Sequence, residues 1–132
     1  MERMIGQISI LVEDYDEALR FYINKLGFVL VEDTVLNSEK RWVVIKPGNT
    51  NGQGCNLLLA KATNAHQKNF IGNQTGGRVF LFLYTDNFKR DYELLLKNSI
   101  EIVRPPKEES YGKVLVFSDL YGNLWDLIEP NR

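Results

Sequence analysis

The side chains able to do chemistry are few, and most of them sit in bland surroundings. The 132-residue chain carries one histidine, His66, and one cysteine, Cys55. His66 lies in a polar stretch far in sequence from the other candidate groups and reads as a surface histidine. Cys55 has no basic or histidine neighbour to favour a thiolate, so on a predicted strand it reads as a small core residue. No nucleophile, base and orienting acid fall into a triad. Gly76-Gly77 and Gly112 lack the strand-to-helix setting of a phosphate-cradling loop and read as turns. The group that stands out is Asp126, a carboxylate inside the apolar run Leu124-Trp125-Asp126-Leu127-Ile128. A charge there needs a partner, so Asp126 is either a functional group or a hydrogen-bonded strand carboxylate. Four aromatic residues, Trp42, Tyr84, Tyr111 and Trp125, lie on or beside predicted strands, where each either fills the core or walls a cavity.

The elements that must position these groups come in two copies. Asp14 ends an alternating strand and opens a helix that runs to Lys25-Leu26-Gly27-Phe28; Asp86 ends another strand before a helix that runs to Lys97-Asn98-Ser99-Ile100. The offset, about 72 residues, exceeds the roughly 20 to 50 of solenoid repeats and points to a duplicated module. Duplicated half-sheets predict a cleft between repeats as the place for a small ligand. At 132 residues the halves are expected to form a single domain, since each alone buries too little surface.

The first module, about residues 5–61, begins with an alternating strand over about 5–12. Asp14 with Glu17 three residues on predicts a capped helix start, and Tyr15, Ala18, Leu19, Tyr22 and Leu26 form its apolar stripe until Gly27 ends it. Strands follow at about 28–34, 40–47 and 54–61, with the turn Pro47-Gly48-Asn49-Thr50-Asn51-Gly52 between the last two, giving the order βαβββ. A connector over about 62–76 holds a short helix near 64–70 and flexible glycines. The second module, about 77–130, has strands at about 79–84, 100–103, 113–118 and 124–129 and a helix marked by Phe88, Tyr92, Leu95 and Leu96. Pro105-Pro106 is expected to stop the second of these strands, and Asp119 to Asn123 to form a turn. Alternation turns Gln7, Ser9 and Leu11 to the cleft. By the repeat, Val79, Leu81 and Leu83 face it too, with Phe80, Phe82 and Tyr84 on the helix side unless a bulge shifts the register.

Composition excludes several partners. The 16 basic and 17 acidic residues leave no electrostatic footprint for nucleic acid or an anionic membrane. A lone cysteine cannot close an internal disulfide, no apolar run reaches the roughly 18 residues of a spanning helix, and Met1-Glu2-Arg3-Met4 is unlike a signal peptide. A cytoplasmic protein is expected.

Read together, Ile8-Ser9-Ile10-Leu11-Val12-Glu13-Asp14, then Ala18, Phe21-Tyr22 and Leu26-Gly27-Phe28, and later Phe117-Ser118-Asp119-Leu120-Tyr121-Gly122-Asn123-Leu124-Trp125-Asp126-Leu127, resemble the vicinal oxygen chelate superfamily. That superfamily includes glyoxalase I, bleomycin resistance proteins and extradiol dioxygenases. The resemblance covers nearly the whole chain and implies an α+β fold of two βαβββ modules whose curved mixed sheets surround one cleft. It also implies a homodimer, and a divalent metal held by side chains from the first and last strand of each module. Carried over, those slots fall on Gln7, Val79, Asn56 and Asp126. Valine cannot bind a metal, and one carboxylate with two amides offers no imidazole and little charge. No tight metal is therefore expected, although a divalent ion stays open. A one-residue bulge that put Arg78 in the Val79 slot would suit a substrate carboxylate or phosphate.

Three functions follow as expectations. The first is a protein that binds a small aromatic or amphipathic molecule in the cleft without a metal, through Gln7, Ser9, Trp42, Asn56, Arg78, Tyr111 and Asp126. Tyr111 would reach the ligand if the polar loop Glu108-Glu109-Ser110-Tyr111-Gly112 acts as a lid. The second is a glyoxalase-type lyase or isomerase using a metal on Gln7, Asp126 and Asn56, with Asp126 as the candidate proton-handling group. The third is an interaction module whose cleft is plugged by its own side chains.

Overall fold

The computed structural model describes residues 1–49 and 52–132. Thr50 and Asn51, the tip of the turn expected after the third strand, lie outside the described residues. The chain divides into two units, Met1–Ile71 and Gly72–Arg132. The first contains β1 (Gln7–Val12), α1 (Tyr15–Leu19) continued by a π-helical segment (Arg20–Lys25), β2 (Val29–Val35), β3 (Arg41–Lys46), β4 (Asn56–Lys61) and α2 (Ala65–Lys68). The second contains β5 (Val79–Tyr84), α3 (Phe88–Lys97), β6 (Ile102–Glu109), β7 (Gly112–Ser118) and β8 (Leu124–Pro130). The sheets have equivalent orders, β1-β4-β3-β2 and β5-β8-β7-β6, each with one parallel pairing of its first and last strands. Each unit is thus a βαβββ module of an α+β fold.

In the first unit the Asp14 carboxylate accepts a hydrogen bond from the Glu17 amide at 2.9 Å, capping α1. The helix then widens: the Leu26 amide donates at 2.9 Å to the carbonyl of Phe21, five residues back. This π-turn alters the expected stripe, because it swings Phe21 and Tyr22 together into the core and leaves Leu19 only half-buried. Gly27, at φ +80, lets the chain leave the helix, and the Phe28 amide closes the end on the Tyr22 carbonyl at 2.8 Å. The helical segment covers one face of the sheet, where Ile10, Val12, Val43, Ile45 and Leu59 are fully buried. Each such side chain contributes about 1.5–3 kcal/mol by leaving water.

Arg41 fastens this layer from the side. Its guanidinium donates to both carboxylate oxygens of Asp33, at 3.1 and 2.6 Å, and to Asp16 at 2.9 Å, while lying 5.2 Å from the centre of the Tyr15 ring. One cation therefore joins β2, β3 and α1.

The second unit departs from the sequence reading in four places. First, β5 carries a bulge between Val79 and Leu81, after which Leu81 pairs with Trp125, Phe82 with Asp126 and Leu83 with Leu127. The extra residue reverses the expected faces: Leu81 and Leu83 join the side of buried Trp125 and Leu127, and Phe82 and Tyr84 turn outward, 58% and 66% exposed. Second, β6 runs through Pro105-Pro106 instead of stopping. It is an edge strand, so the missing N–H groups cost no pairing on its open side, and slips on both sides of Arg104 absorb the prolines. Third, the loop expected at 108–112 shrinks to a two-residue hairpin turn, Ser110-Tyr111, because Glu108 and Glu109 belong to β6 and Gly112 to β7. Fourth, Asn87 rather than Asp86 caps α3, accepting from the Arg90 amide at 3.0 Å.

Short motifs elsewhere follow the local sequence. Asn64 caps α2 through the Gln67 amide at 2.8 Å. Buried Asp119 organises the turn before β8, one carboxylate oxygen accepting from the amides of Tyr121 and Asn123, both at 2.9 Å, and the other from the Asn123 side chain at 2.8 Å. No helix among the described residues is long and apolar enough to cross a membrane.

Candidate functional site

One face of each sheet is covered by its own helix, and the opposite face carries the polar and aromatic candidates. On the first sheet, Gln7 pairs with Asn56 and Ser9 with Leu58; Leu58 pairs in turn with Val44, and Val44 with Glu32. Trp42 lies two residues before Val44 on the same face, 37% exposed and paired with Thr34. The structure thus gathers four sequence-predicted residues, Gln7, Ser9, Asn56 and Trp42, on one surface.

On the second sheet, two rows cross all four strands. Phe82, Asp126, Val116 and Arg104 form the first; Tyr84, Ile128, Val114 and Lys107 form the next. Both rows start with an aromatic ring on β5 and end with a cation on β6. With strands about 4.8 Å apart, each row spans roughly 14 Å between its end backbones. Asp126 sits among apolar neighbours in the middle. Its Oδ1 is buried and has no hydrogen-bond partner. Burial raises its pKa above the ordinary carboxylate value, and the field of Arg104 opposes that rise. Lys107 is engaged by Glu109 at 3.1 Å, whereas Arg104 has no ion-pair partner among the described residues.

Two predicted residues lie apart from these rows. Arg78 is exposed one position before β5, with its carbonyl accepting from the Thr75 hydroxyl at 2.7 Å. The bulge falls after Val79, so it does not shift Arg78 into the strand, and the side chain brought opposite Asp126 is Phe82. Tyr111 is exposed at the β6–β7 turn, which Asn131 holds by a side-chain bond to the Ser110 carbonyl at 2.6 Å and a backbone bond to that of Tyr111 at 3.0 Å. A two-residue turn anchored at both carbonyls is too short to be the expected lid.

The remaining candidates are structural or peripheral. Trp125 is 2% exposed and stacks on Phe117 with ring centres 5.9 Å apart, so it belongs to the core. His66 is exposed in α2 with its ring 5.2 Å from Phe70. Cys55 precedes β4 rather than lying on it and is half-buried. A separate groove of about 380 Å³ on the first unit is lined by Asp16, Leu19, Arg20, Ile23, Asn24 and Leu30.

The metal slots can now be tested on their donors. Gln7 and Asn56 are neutral amides, and the neighbour of Asp126 across β5 is a phenyl ring. Among the described residues no three His, Cys, Asp or Glu side chains form a metal-binding group. Such a set does not fit a tightly held divalent ion, which needs several hard or imidazole donors to replace its water.

Sequence reasoning missed Phe82, Arg104 and Val116. The run Val79-Phe80-Leu81-Phe82-Leu83-Tyr84 is apolar at both parities, so alternation could not choose a face, and the two prolines hid the strand that carries Arg104.

The geometry has close counterparts. The model of the Glyoxalase/Bleomycin resistance protein/Dioxygenase superfamily matches residues 4–127. An uncharacterized protein of Shewanella frigidimarina (strain NCIMB 400) is 55% identical over 132 residues, which is 99% of this chain and 96% of that protein. Among solved structures, UcmS2 aligns with a TM-score of 0.83 at 26% identity, over 98% of this chain and 99% of its own. TnmS3, an antibiotic binding protein from Streptomyces sp. CB03234, aligns with a TM-score of 0.76 at 25% identity, over 98% of both chains. Two βαβββ units in sequence and a family match spanning almost the whole chain lead to one conclusion: the protein belongs to the glyoxalase/bleomycin resistance protein/dioxygenase superfamily.

Proposed function

We propose that this protein binds a small aromatic or amphipathic molecule on the open faces of its sheets and does so without a tightly held catalytic metal. The observation that carries the reading is Asp126: a half-buried carboxylate with an unpartnered buried oxygen, set between an exposed phenyl ring and an apolar strand. Leaving such an oxygen unpaired costs about 1–3 kcal/mol, and a ligand hydroxyl or amide would supply the missing bond. Exposed Phe82, Tyr84 and Trp42 offer flat apolar contact area at small entropic cost. The similarity to TnmS3, itself an antibiotic binding protein, supports the binding of a small molecule. Gln7, Ser9 and Asn56 supply polar contacts in this reading, and Asp126 orients the ligand. Arg78 and Tyr111 stand as outlying contacts.

The test is a thermal-shift screen of EDTA-treated protein against small aromatics and, separately, divalent metals. A ligand that binds only the folded state raises the melting temperature by mass action. Stabilisation by aromatics in the presence of EDTA is expected. A stoichiometric, EDTA-sensitive metal in purified protein would overturn the metal-free reading in favour of the lyase, and no response to any small molecule would favour an interaction module.

A homodimer is part of the proposal. Strand β2 is a sheet edge exposing Val29, Leu30, Val31 and Val35, an apolar edge that soluble monomers seldom leave uncovered. Light scattering should give twice the chain mass. A reducing, cytoplasmic setting suits the free thiol of Cys55.

A further inference from the structure

We infer that the preferred ligand of the second sheet is a planar anion of two or more fused aromatic rings, with its ring system over Phe82 and Tyr84 and its acidic group drawn to Arg104. The inference rests on the proposed ligand-binding reading and narrows it to a chemical class.

Three observations carry it. The β5 bulge sets Phe82 and Tyr84 on the open face two residues apart, which is roughly 6.6 Å along a strand, so a ligand touching both must extend over more than one ring. At the far end of the same rows stands Arg104, a guanidinium with no ion-pair partner among the described residues, while its neighbour Lys107 is neutralised by Glu109. A planar cation left unmatched at one end of a ligand surface is suited to a carboxylate or phenolate, which it binds through two parallel hydrogen bonds. Between the two ends the rows pass through Val116 and Ile128, which are buried, and Val114, which is half-buried, an apolar stretch with which a hydrocarbon body is compatible. Asp126 interrupts this floor, and its unpartnered oxygen favours a polar hydrogen on the ligand at mid-length. The spacing sets the size: roughly 14 Å between end backbones, less the inward reach of the side chains, matches a two- or three-ring molecule.

The experiment titrates the full-length protein with 2-anthracenecarboxylate and with its uncharged analogue 2-anthracenecarboxamide, following ligand fluorescence at fixed ionic strength. The carboxylate is expected to bind at least tenfold more tightly. Arg104→Gln should bring the two affinities together and Arg104→Lys should keep part of the preference, whereas Phe82→Ala and Tyr84→Ala should weaken both probes. All three positions are exposed, and melting temperatures of each of the four variants verify folding. Equal binding of the two probes by the unmodified protein overturns the anion preference while leaving an aromatic ligand in place. A carboxylate preference that survives Arg104→Gln, or binding indifferent to Phe82 and Tyr84, overturns the assigned site. If neither probe nor any other small aromatic binds, the ligand-binding reading itself fails.

Discussion

Phe82 and Asp126 are direct partners across the parallel pairing of β5 and β8, so the side chain beside the carboxylate on β5 is a phenyl ring that can neither donate a hydrogen bond nor carry a charge. The relationship has two consequences. It leaves Asp126 without a polar partner on β5, and it makes the carboxylate part of an aromatic surface whose burial disfavours its charge.

The raised pKa of Asp126 predicts a pH-dependent stability penalty. A carboxyl that titrates higher when folded than when unfolded holds more protons in the folded state within that window. Stability therefore falls as pH rises from the unfolded value of 3.8 through the folded value, and it stays reduced above it. Asp126→Asn removes the charge but keeps the shape. Chemical denaturation should find the variant equal to or more stable than the parent at pH 7, with the difference vanishing near pH 3. A variant clearly less stable at neutral pH would contradict an unpartnered carboxylate.

Arg41 predicts the opposite dependence. Its hydrogen bonds to Asp33 hold that carboxyl below its usual value, so the pair stabilises the fold above the unfolded pKa and the contribution is lost as pH falls through the folded one. Replacing Arg41 with Met keeps much of the packing over Tyr15 and should cost about 1 kcal/mol at neutral pH, as expected for a half-exposed, bidentate pair. That cost should shrink in acid below the carboxylate range. A pH-independent loss would assign the effect to packing alone.

The β5 bulge can be tested by comparing two truncations. Leu127 is 1% exposed on the helix side of β8, so Leu127→Ala should destabilise by about 2–5 kcal/mol. Phe82 is the larger residue, yet its outward position predicts a cost for Phe82→Ala under about 1 kcal/mol. The uninterrupted repeat, which sends Phe82 to the helices, predicts large losses at both, and unfolding midpoints in urea separate the cases.

Gly72 begins the second unit at φ +74, and a β-carbon there would run into the Tyr121 carbonyl oxygen. Both the left-handed backbone and the contact penalise any side chain, so Gly72→Ala should cost about 1–3 kcal/mol. Gly76 is also at positive φ, +68, but opens onto empty space, and Gly76→Ala should cost only the backbone strain. Equal losses in the two variants would mean that the Tyr121 contact has no role.

The division of labour between chain order and packing is visible in single residues. The two βαβββ units, the cap at Asp14, the end at Gly27 and the Asp119 turn could all be read along the chain, because each depends on neighbours within a few positions or on periodicity repeated through an element. The outward face of Phe82 and Tyr84, the passage of β6 through Pro105-Pro106 and the alignment of Arg104 with Asp126 in one row through Val116 could not. A run apolar on both parities can pair in either register at similar local cost, and prolines on an edge strand break no bond that the sheet requires. Only the pairing with β8 selects the register, by setting half-buried Leu81 and Leu83 beside buried Trp125 and Leu127, and that choice turns the aromatic residues outward.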